Sequence, residues 1–173
     1  MTSDLTFIRE VDSLRYYRYE PRLFRWYHAG YPEYAAPTAS HQARMLIEYL
    51  QGGFHVIYMA DATDEVLGYL VVAPGGRRLT CSAKEDIVLG PIWIRPSKRG
   101  QGLGTRGIHA VLHDLGETYR DAWEYIKTDN IASIRSVEKN GFTLMGHGVE
   151  KGPLRRVYPA DEGADLIYRY HAE

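Results

Sequence analysis

Cysteine is nearly absent from this chain: Cys81 is the one thiol in 173 residues. An intrachain disulfide is therefore excluded, which fits a reducing compartment. A nucleophilic role is not indicated, because Cys81 stands between Thr80 and Ser82 with no histidine close in sequence; it reads as a strand or turn residue. Long apolar runs are missing too. No stretch approaches the ~18 residues of a membrane span, and the start lacks a basic segment followed by an apolar one. The expectation is a cytoplasmic chain with no membrane partner. Charge of one sign is also lacking: 21 basic against 22 acidic residues leave a formal −1, so no global field recruits nucleic acid. Hydrophobic residues at 45% and charged ones at 25% describe a globular protein, and the length suits one domain over residues 1–173.

Glycine gathers at one junction. Residues 99–104 read Arg99-Gly100-Gln101-Gly102-Leu103-Gly104. They join the apolar stretch Ile87 to Ile94 to a helix pattern with Leu103, Ile108, Val111, Leu112 and Leu115 on one stripe. A glycine-rich turn feeding a helix start presents unpaired N–H groups at the positive end of the helix dipole, a geometry suited to phosphate or pyrophosphate. A Cβ there would hold the anion away from the backbone.

Two glycine patterns overlap at this point. Gly102-Leu103-Gly104-Thr105-Arg106-Gly107 matches G-x-G-x-x-G, and Glu124 follows Gly104 by 20 residues, as a dinucleotide fold would want. Only one short strand and one short helix pattern follow, however, before the sequence changes character. The second pattern, Arg/Gln-x-x-Gly-x-Gly/Ala, is filled by Arg99, Gly102 and Gly104. Downstream, residues Asn130-Ile131-Ala132-Ser133 open a helix pattern that ends in Glu138-Lys139-Asn140-Gly141-Phe142. Asp129 or Asn130 suits its N-cap, Ile131, Ile134 and Val137 would share one face, and Gly141 suits the position after its end. The two motifs together resemble the coenzyme A loop and fourth helix of the GNAT superfamily of N-acetyltransferases. The helix is most similar to the branch that includes ribosomal-protein N-terminal acetyltransferases. The resemblance covers Glu65 to Phe142 well and the two ends only by general plan.

Elsewhere the pattern gives a first strand from Leu5 to Val11, with Asp12-Ser13 able to cap a helix, and a helix from Ser40 to Leu50. Strands follow at Phe54 to Ala60 and Val66 to Val72, joined across a turn at Asp61-Ala62-Thr63-Asp64. Another strand covers Trp123 to Thr128, and Thr143 to Gly148 with Ala164 to Tyr170 form a last antiparallel pair around a polar loop. The expected order is β-α-α-β-β-β-α-β-α-β-β, an α/β fold with a mixed sheet and helices on both faces, as the resemblance also implies.

The resemblance implies transfer of an acetyl group from acetyl-CoA to a primary amine, with no metal. The backbone of Ile92, Trp93 and Ile94 would bond the pantetheine amides, and Arg99, Gly100, Gln101, Gly102, Leu103, Gly104 and Thr105 would hold the pyrophosphate. Asn130 and Ser133 would face the cofactor arm. Many relatives place a tyrosine before the Glu-Lys of the fourth helix as the acid for the departing thiol. Here that position is Val137, and Ser133 becomes the candidate, with a bond to the carbonyl four residues back as its structural alternative. Candidate bases are Glu85 and Asp86, ahead of His55. His109 and His113 have metal-ligand spacing but no third ligand, and read as solvated surface.

The acceptor is a small-molecule amine or a protein N-terminus. The Tyr- and Arg-rich segment 14–37 would either line an aromatic acceptor pocket or pack against a second copy of the chain in a homodimer. Rival functions are a silent acyl-CoA-binding sensor of the same fold and a NAD(P)-dependent oxidoreductase.

Overall fold

The computed structural model describes residues 4–28 and 39–172, apart from the side chains of residues 40, 41 and 44. Strands β1 (Leu5–Val11) and β2 (Leu14–Tyr19) form an antiparallel hairpin. Asp12 and Ser13 both have positive φ, at 48° and 63°, the backbone of a two-residue hairpin turn rather than a helix cap. The first of the two expected helices is therefore replaced by β2. Helix α1 (Ala39–Leu50) is next, followed by β3 (His55–Ala60), β4 (Val66–Pro74) and β5 (Ile87–Ile94). A short 3-10 turn, Pro96–Lys98, leads to α2 (Leu103–His113), β6 (Asp121–Lys127) and α3 (Ile131–Lys139). The chain closes with β7 (Thr143–Lys151), β8 (Arg156–Ala160) and β9 (Asp165–His171). β7 pairs with β9 as expected, while β8 occupies part of the expected polar loop. Pro159 is tolerated there because β8 is an edge strand.

The nine strands make one sheet in the order β1-β2-β3-β4-β5-β6-β9-β7-β8, in which β5 and β6 are the parallel pair. Strand periodicity assigns each face its helices. Ile57 and Met59 of β3 pack with Leu103, Ile108 and Val111 of α2 and Val137 of α3. Val56 and Tyr58, one residue out of phase, pack with Met45 of α1. Helices thus cover both faces. Gly107 lets α2 settle closely on the sheet, since a Cβ there would lie 2.7 Å from Met59 Sδ.

A bulge next to β4 opens the sheet. Leu70 pairs with Ile92 and Val72 with Leu89, so β5 carries one extra residue at Gly90-Pro91. On its other side β5 pairs with β6 only at Ile87–Ala122 and Val88–Trp123. Beyond those rungs the two strands diverge, and Pro91 has no N–H to offer across the gap. The cleft between them positions everything that follows.

Candidate active site

One groove runs from the diverging end of β5 to the N-termini of α2 and α3. It is lined by Ile92, Trp93 and Ile94, by Arg99, Gly100, Gly102, Leu103, Gly104 and Thr105, and by Asn130 and Ser133. Every residue expected to contact the cofactor except Gln101 borders this cavity of about 450 Å³. Trp93 is held from β4 by Tyr69, their rings stacked 5.7 Å apart. At the head of α2, Gly102 is the N-cap with φ 73°, and no side chain caps the helix. The amides of Leu103, Gly104 and Thr105 therefore have no intrahelical acceptor. Above Gly100 and Gly102 the space is open: no atom lies within 4 Å of where a Cβ would stand.

Four more cationic or polar contributions were not anticipated. Lys98, Arg135, Ser136 and Lys139 line the same groove. With Arg99 this gives four cationic side chains and no carboxylate on its wall, in a chain whose total charge is −1. The site fits a phosphate-bearing group.

At the head of α3 the Asn130 side chain accepts a hydrogen bond from the Ser133 N–H at 3.3 Å, so Asn130 is the cap. The bond to a carbonyl four residues back, considered for Ser133, is made by Ser136, whose hydroxyl donates to the Ala132 carbonyl at 3.0 Å. The Ser133 hydroxyl bonds no described neighbour. Its side chain stands where the groove meets a second chamber of about 320 Å³. Val137 is fully buried among Ile108, Val111 and Phe142. Ile131 is 51% exposed and does not share the inner face.

The second chamber lies in the splay itself, between Leu89 to Ile92 and Glu124 to Lys127. Glu124 is its most unusual member. Its side chain is buried, its Oε2 has no hydrogen-bond partner among the described residues, and burial pushes its pKa up to about 8. In the sequence Glu124 stands out only for its spacing from Gly104. A stronger signal was available: period two puts it on the inward face of β6 between Ala122 and Ile126, both core residues.

The expected bases lie elsewhere. Glu85 and Asp86 precede β5, six residues and therefore ~20 Å from Ile92 along an extended strand. The Asp86 carboxylate accepts from the Ala83 N–H at 2.7 Å and Trp123 Nε1 at 2.9 Å, and Arg120 lies 3.1 Å away. His55 joins them around a separate cavity of about 390 Å³. Its Nε2 lies 2.8 Å from Glu117 Oε1. Burial opposes ionisation of Glu117, but the hydrogen bond to His55 and the charges of His55 and Arg18 hold its carboxyl below the usual value.

His109 and His113 are exposed with rings 4.6 Å apart, and no cluster of three potential metal ligands occurs among the described residues. Cys81 is an exposed turn residue. Of the Tyr/Arg segment, Tyr16 and Trp26 are core residues, 1% and 4% exposed; Tyr31 and Tyr34 lie outside the described residues. No helix among the described residues is long and apolar enough to cross a membrane.

A mixed sheet that splays at one parallel pair, with a glycine-capped helix facing the gap, defines the acyl-CoA N-acyltransferase class of α/β folds. The model of the acetyltransferase (GNAT) family matches residues 20–142, and the chain belongs to that family. The dinucleotide alternative fails on topology, since β5–β6 is the one parallel pair among the described strands.

Solved structures of similar fold include RimL, a ribosomal L7/L12 alpha-N-protein acetyltransferase, at 16% identity and TM-score 0.61. That match covers 97% of this chain and 95% of RimL. A ribosomal-protein-alanine N-acetyltransferase from Brucella melitensis is 18% identical with TM-score 0.54, covering 80% of this chain and 81% of that one. A phosphinothricin acetyltransferase from Sinorhizobium meliloti, in complex with AcCoA, has the same identity and TM-score over 80% and 72%. No curated protein matches the chain by sequence.

Proposed function

We propose that this protein transfers the acetyl group of acetyl-CoA to a primary amine, by direct attack with both substrates bound. The observation that carries the reading is the groove wall: four cations, no carboxylate, and an open glycine-capped helix start beside the splayed strand. The amides of Leu103, Gly104 and Thr105 would hold the pyrophosphate, with Lys98, Arg99, Arg135 and Lys139 around it. The unpaired edge of Ile92 to Ile94 would take the pantetheine arm as an added strand. Bound acetyl-CoA supplies an acetyl group activated as a thioester.

The protein's own groups manage charge and protons. An ammonium cannot attack, so the acceptor must lose a proton. Glu124, on the chamber wall, would take it, since a carboxyl with a pKa near 8 matches an amine far better than an ordinary glutamate does. N–H groups of β5 that are not directed at β4 would stabilise the negative charge that develops on the acyl oxygen. The departing sulfur needs one weak donor, and the Ser133 hydroxyl at the junction of groove and chamber is free to give it.

A ligand screen followed by turnover tests this reading. Acetyl-CoA should raise the melting temperature while NAD and NADP do not, and a panel of amines should yield acetylated products with release of the coenzyme A thiol. Stabilisation by NAD or NADP would point to redox chemistry. Tight acetyl-CoA binding without any product would identify a silent sensor, a reading to which Val137, in the position of the usual acid, gives some support.

A further inference from the structure

The splayed chamber has a charge pattern that the transfer reaction does not use. Glu150 of β7 holds two guanidinium groups, one on each oxygen: Arg78 at 3.1 Å on Oε1 and Arg155 at 2.9 Å on Oε2. Burial opposes ionisation of Glu150, but the hydrogen bond from Arg155 and the charges of Arg155, Arg78 and Lys127 keep its carboxyl below the usual value. Lys127 is neutralised by Asp165 at 2.9 Å. Three cations thus face the carboxylates of Glu150 and Asp165, Glu124 being the group assigned to the acceptor nitrogen. One positive charge is left over.

Arg78 is the residue that carries the surplus into the chamber. Its side chain is 18% exposed, and its guanidinium lies 5.1 Å from the centre of the Tyr125 ring. Its Nε is buried and bonds no acceptor among the described residues. Among the described residues only its Nη2 is engaged, by Glu150, so the guanidinium keeps Nη1 donors free on the chamber wall, where a carboxylate can take them. The backbone around it is fixed rather than loose. The Val157 N–H donates to the Arg78 carbonyl at 2.8 Å, and Leu79 makes an isolated parallel bridge to Val157 of β8. Beside Arg78, a small apolar recess lined by Met45, Phe54, Val88 and Pro91 opens from the same wall.

We propose that Arg78 anchors a carboxylate on the acceptor, and that the acceptor is a small α-amino acid with an apolar side chain. This rests on the acetyl-transfer reading. In the reaction the acceptor ammonium first gives one proton to Glu124, its nitrogen then bonds the acyl carbon, the carbon–sulfur bond breaks, and the second proton lost by nitrogen replaces the one that the Ser133 hydroxyl gives to sulfur. The carboxylate stays ionised on Arg78 throughout, and the side chain fills the recess. A peptide N-terminus offers an amide where this site offers a guanidinium, so it is the weaker fit.

Initial rates with acetyl-CoA should be compared for methionine, methioninamide, the decarboxylated amine and a methionine-initiated peptide. The free acid should exceed the other three in kcat/KM by at least about tenfold. Arg78→Lys keeps a cation beside Glu150 but removes the second arm of the guanidinium, and should collapse that ratio through the KM of the acid. Equal rates for the amide or peptide, or an unchanged ratio in Arg78→Lys, would overturn the proposal. Calorimetric titration of methionine and methioninamide into the protein loaded with coenzyme A separates the two claims. Binding of the acid alone, without turnover, would uphold Arg78 as the anchor and refute acetyl transfer. Peptide turnover with no binding of the free acid would do the reverse.

Discussion

Gly90 on β5 faces Glu124 on β6 across the cleft, so close that a Cβ added to Gly90 would stand 3.9 Å from Glu124 Oε1. The glycine also holds φ 101°, a conformation that side chains rarely adopt. Gly90→Ala should therefore lose ~1–2 kcal/mol of stability from backbone strain. The added methyl would displace water from the carboxylate and raise the pKa of Glu124 further. A pH profile whose midpoint falls, or does not move, in this variant would show that the two residues are not neighbours in the working enzyme.

Glu124 sets the sign of two pH dependences. Its folded-state pKa is raised to about 8 from 4.5, so the folded state binds the extra proton between those values. Stability should therefore fall as pH rises from about 4.5 to about 8 and level off above. Glu124→Gln should remove that slope and be more stable than the parent at alkaline pH. Activity runs the other way, since the base must be ionised: kcat/KM should climb to a plateau above about pH 8, and Glu124→Gln should lose ~10²–10⁴-fold. Acceptors with different amine pKa values discriminate. A midpoint that follows the amine, rather than staying near 8, would take the role of base away from Glu124.

For Ser133, geometry separates binding from chemistry. The cap of α3 uses the Ser133 N–H, which bonds Asn130, and not the hydroxyl. Ser133→Ala should leave acetyl-CoA affinity nearly unchanged and lower kcat by ~10–100-fold, at or below the low end of general-acid effects. Tyr125 is the tyrosine that borders the chamber. Tyr119 is committed elsewhere, donating to the Leu112 carbonyl at 2.8 Å, and Tyr168 donates to Glu138 at 3.1 Å. An alkaline limb abolished by Tyr125→Phe would transfer the acid role to that residue.

Asp86 should behave as a structural carboxylate. It is 2% exposed and joins the turn before β5 to Trp123 and Arg120. Asp86→Ala leaves buried donors unpaired and should cost ~2–4 kcal/mol. The pH midpoint of kcat/KM in the folded enzyme should stay where it was. A shifted midpoint would bring Asp86 back as a base.

Much of this was legible in the chain because the signals are local. Gly102 and Asn130 are helix starts recognisable from a few residues, and Asp61 marks its turn by accepting the Thr63 and Glu65 N–H groups at 2.8 and 3.1 Å. β2 was hidden because both of its faces are buried: Leu14 and Tyr16 pack on one side, Tyr17 and Tyr19 on the other, so polarity does not alternate. β8 was hidden because Arg-Val-Tyr-Pro-Ala is a weak strand sequence that depends on β7 and on the bridge to Leu79. Arg78 owes its position to that same distant pairing, which no local pattern encodes. Tyr16, part of a segment whose sequence suits either an acceptor pocket or an interface with a second copy, fills the space under α2, so Tyr16→Ala should cost ~3–5 kcal/mol rather than a change in KM alone.

A calorimetric titration of acetyl-CoA into the parent and Gly102→Val tests whether the glycine-capped start of α2 holds the pyrophosphate through its backbone. Gly102 has φ 73° and open space around its missing Cβ. Valine would therefore disturb the loop conformation and the anion's approach without clashing with the core. Binding to the parent should saturate, binding to the folded variant should be at least ~10-fold weaker, and the loss in Arg99→Ala should be smaller, because its exposed guanidinium adds only a screened contact. A folded Gly102→Val protein that binds acetyl-CoA as tightly as the parent would contradict that role for the backbone.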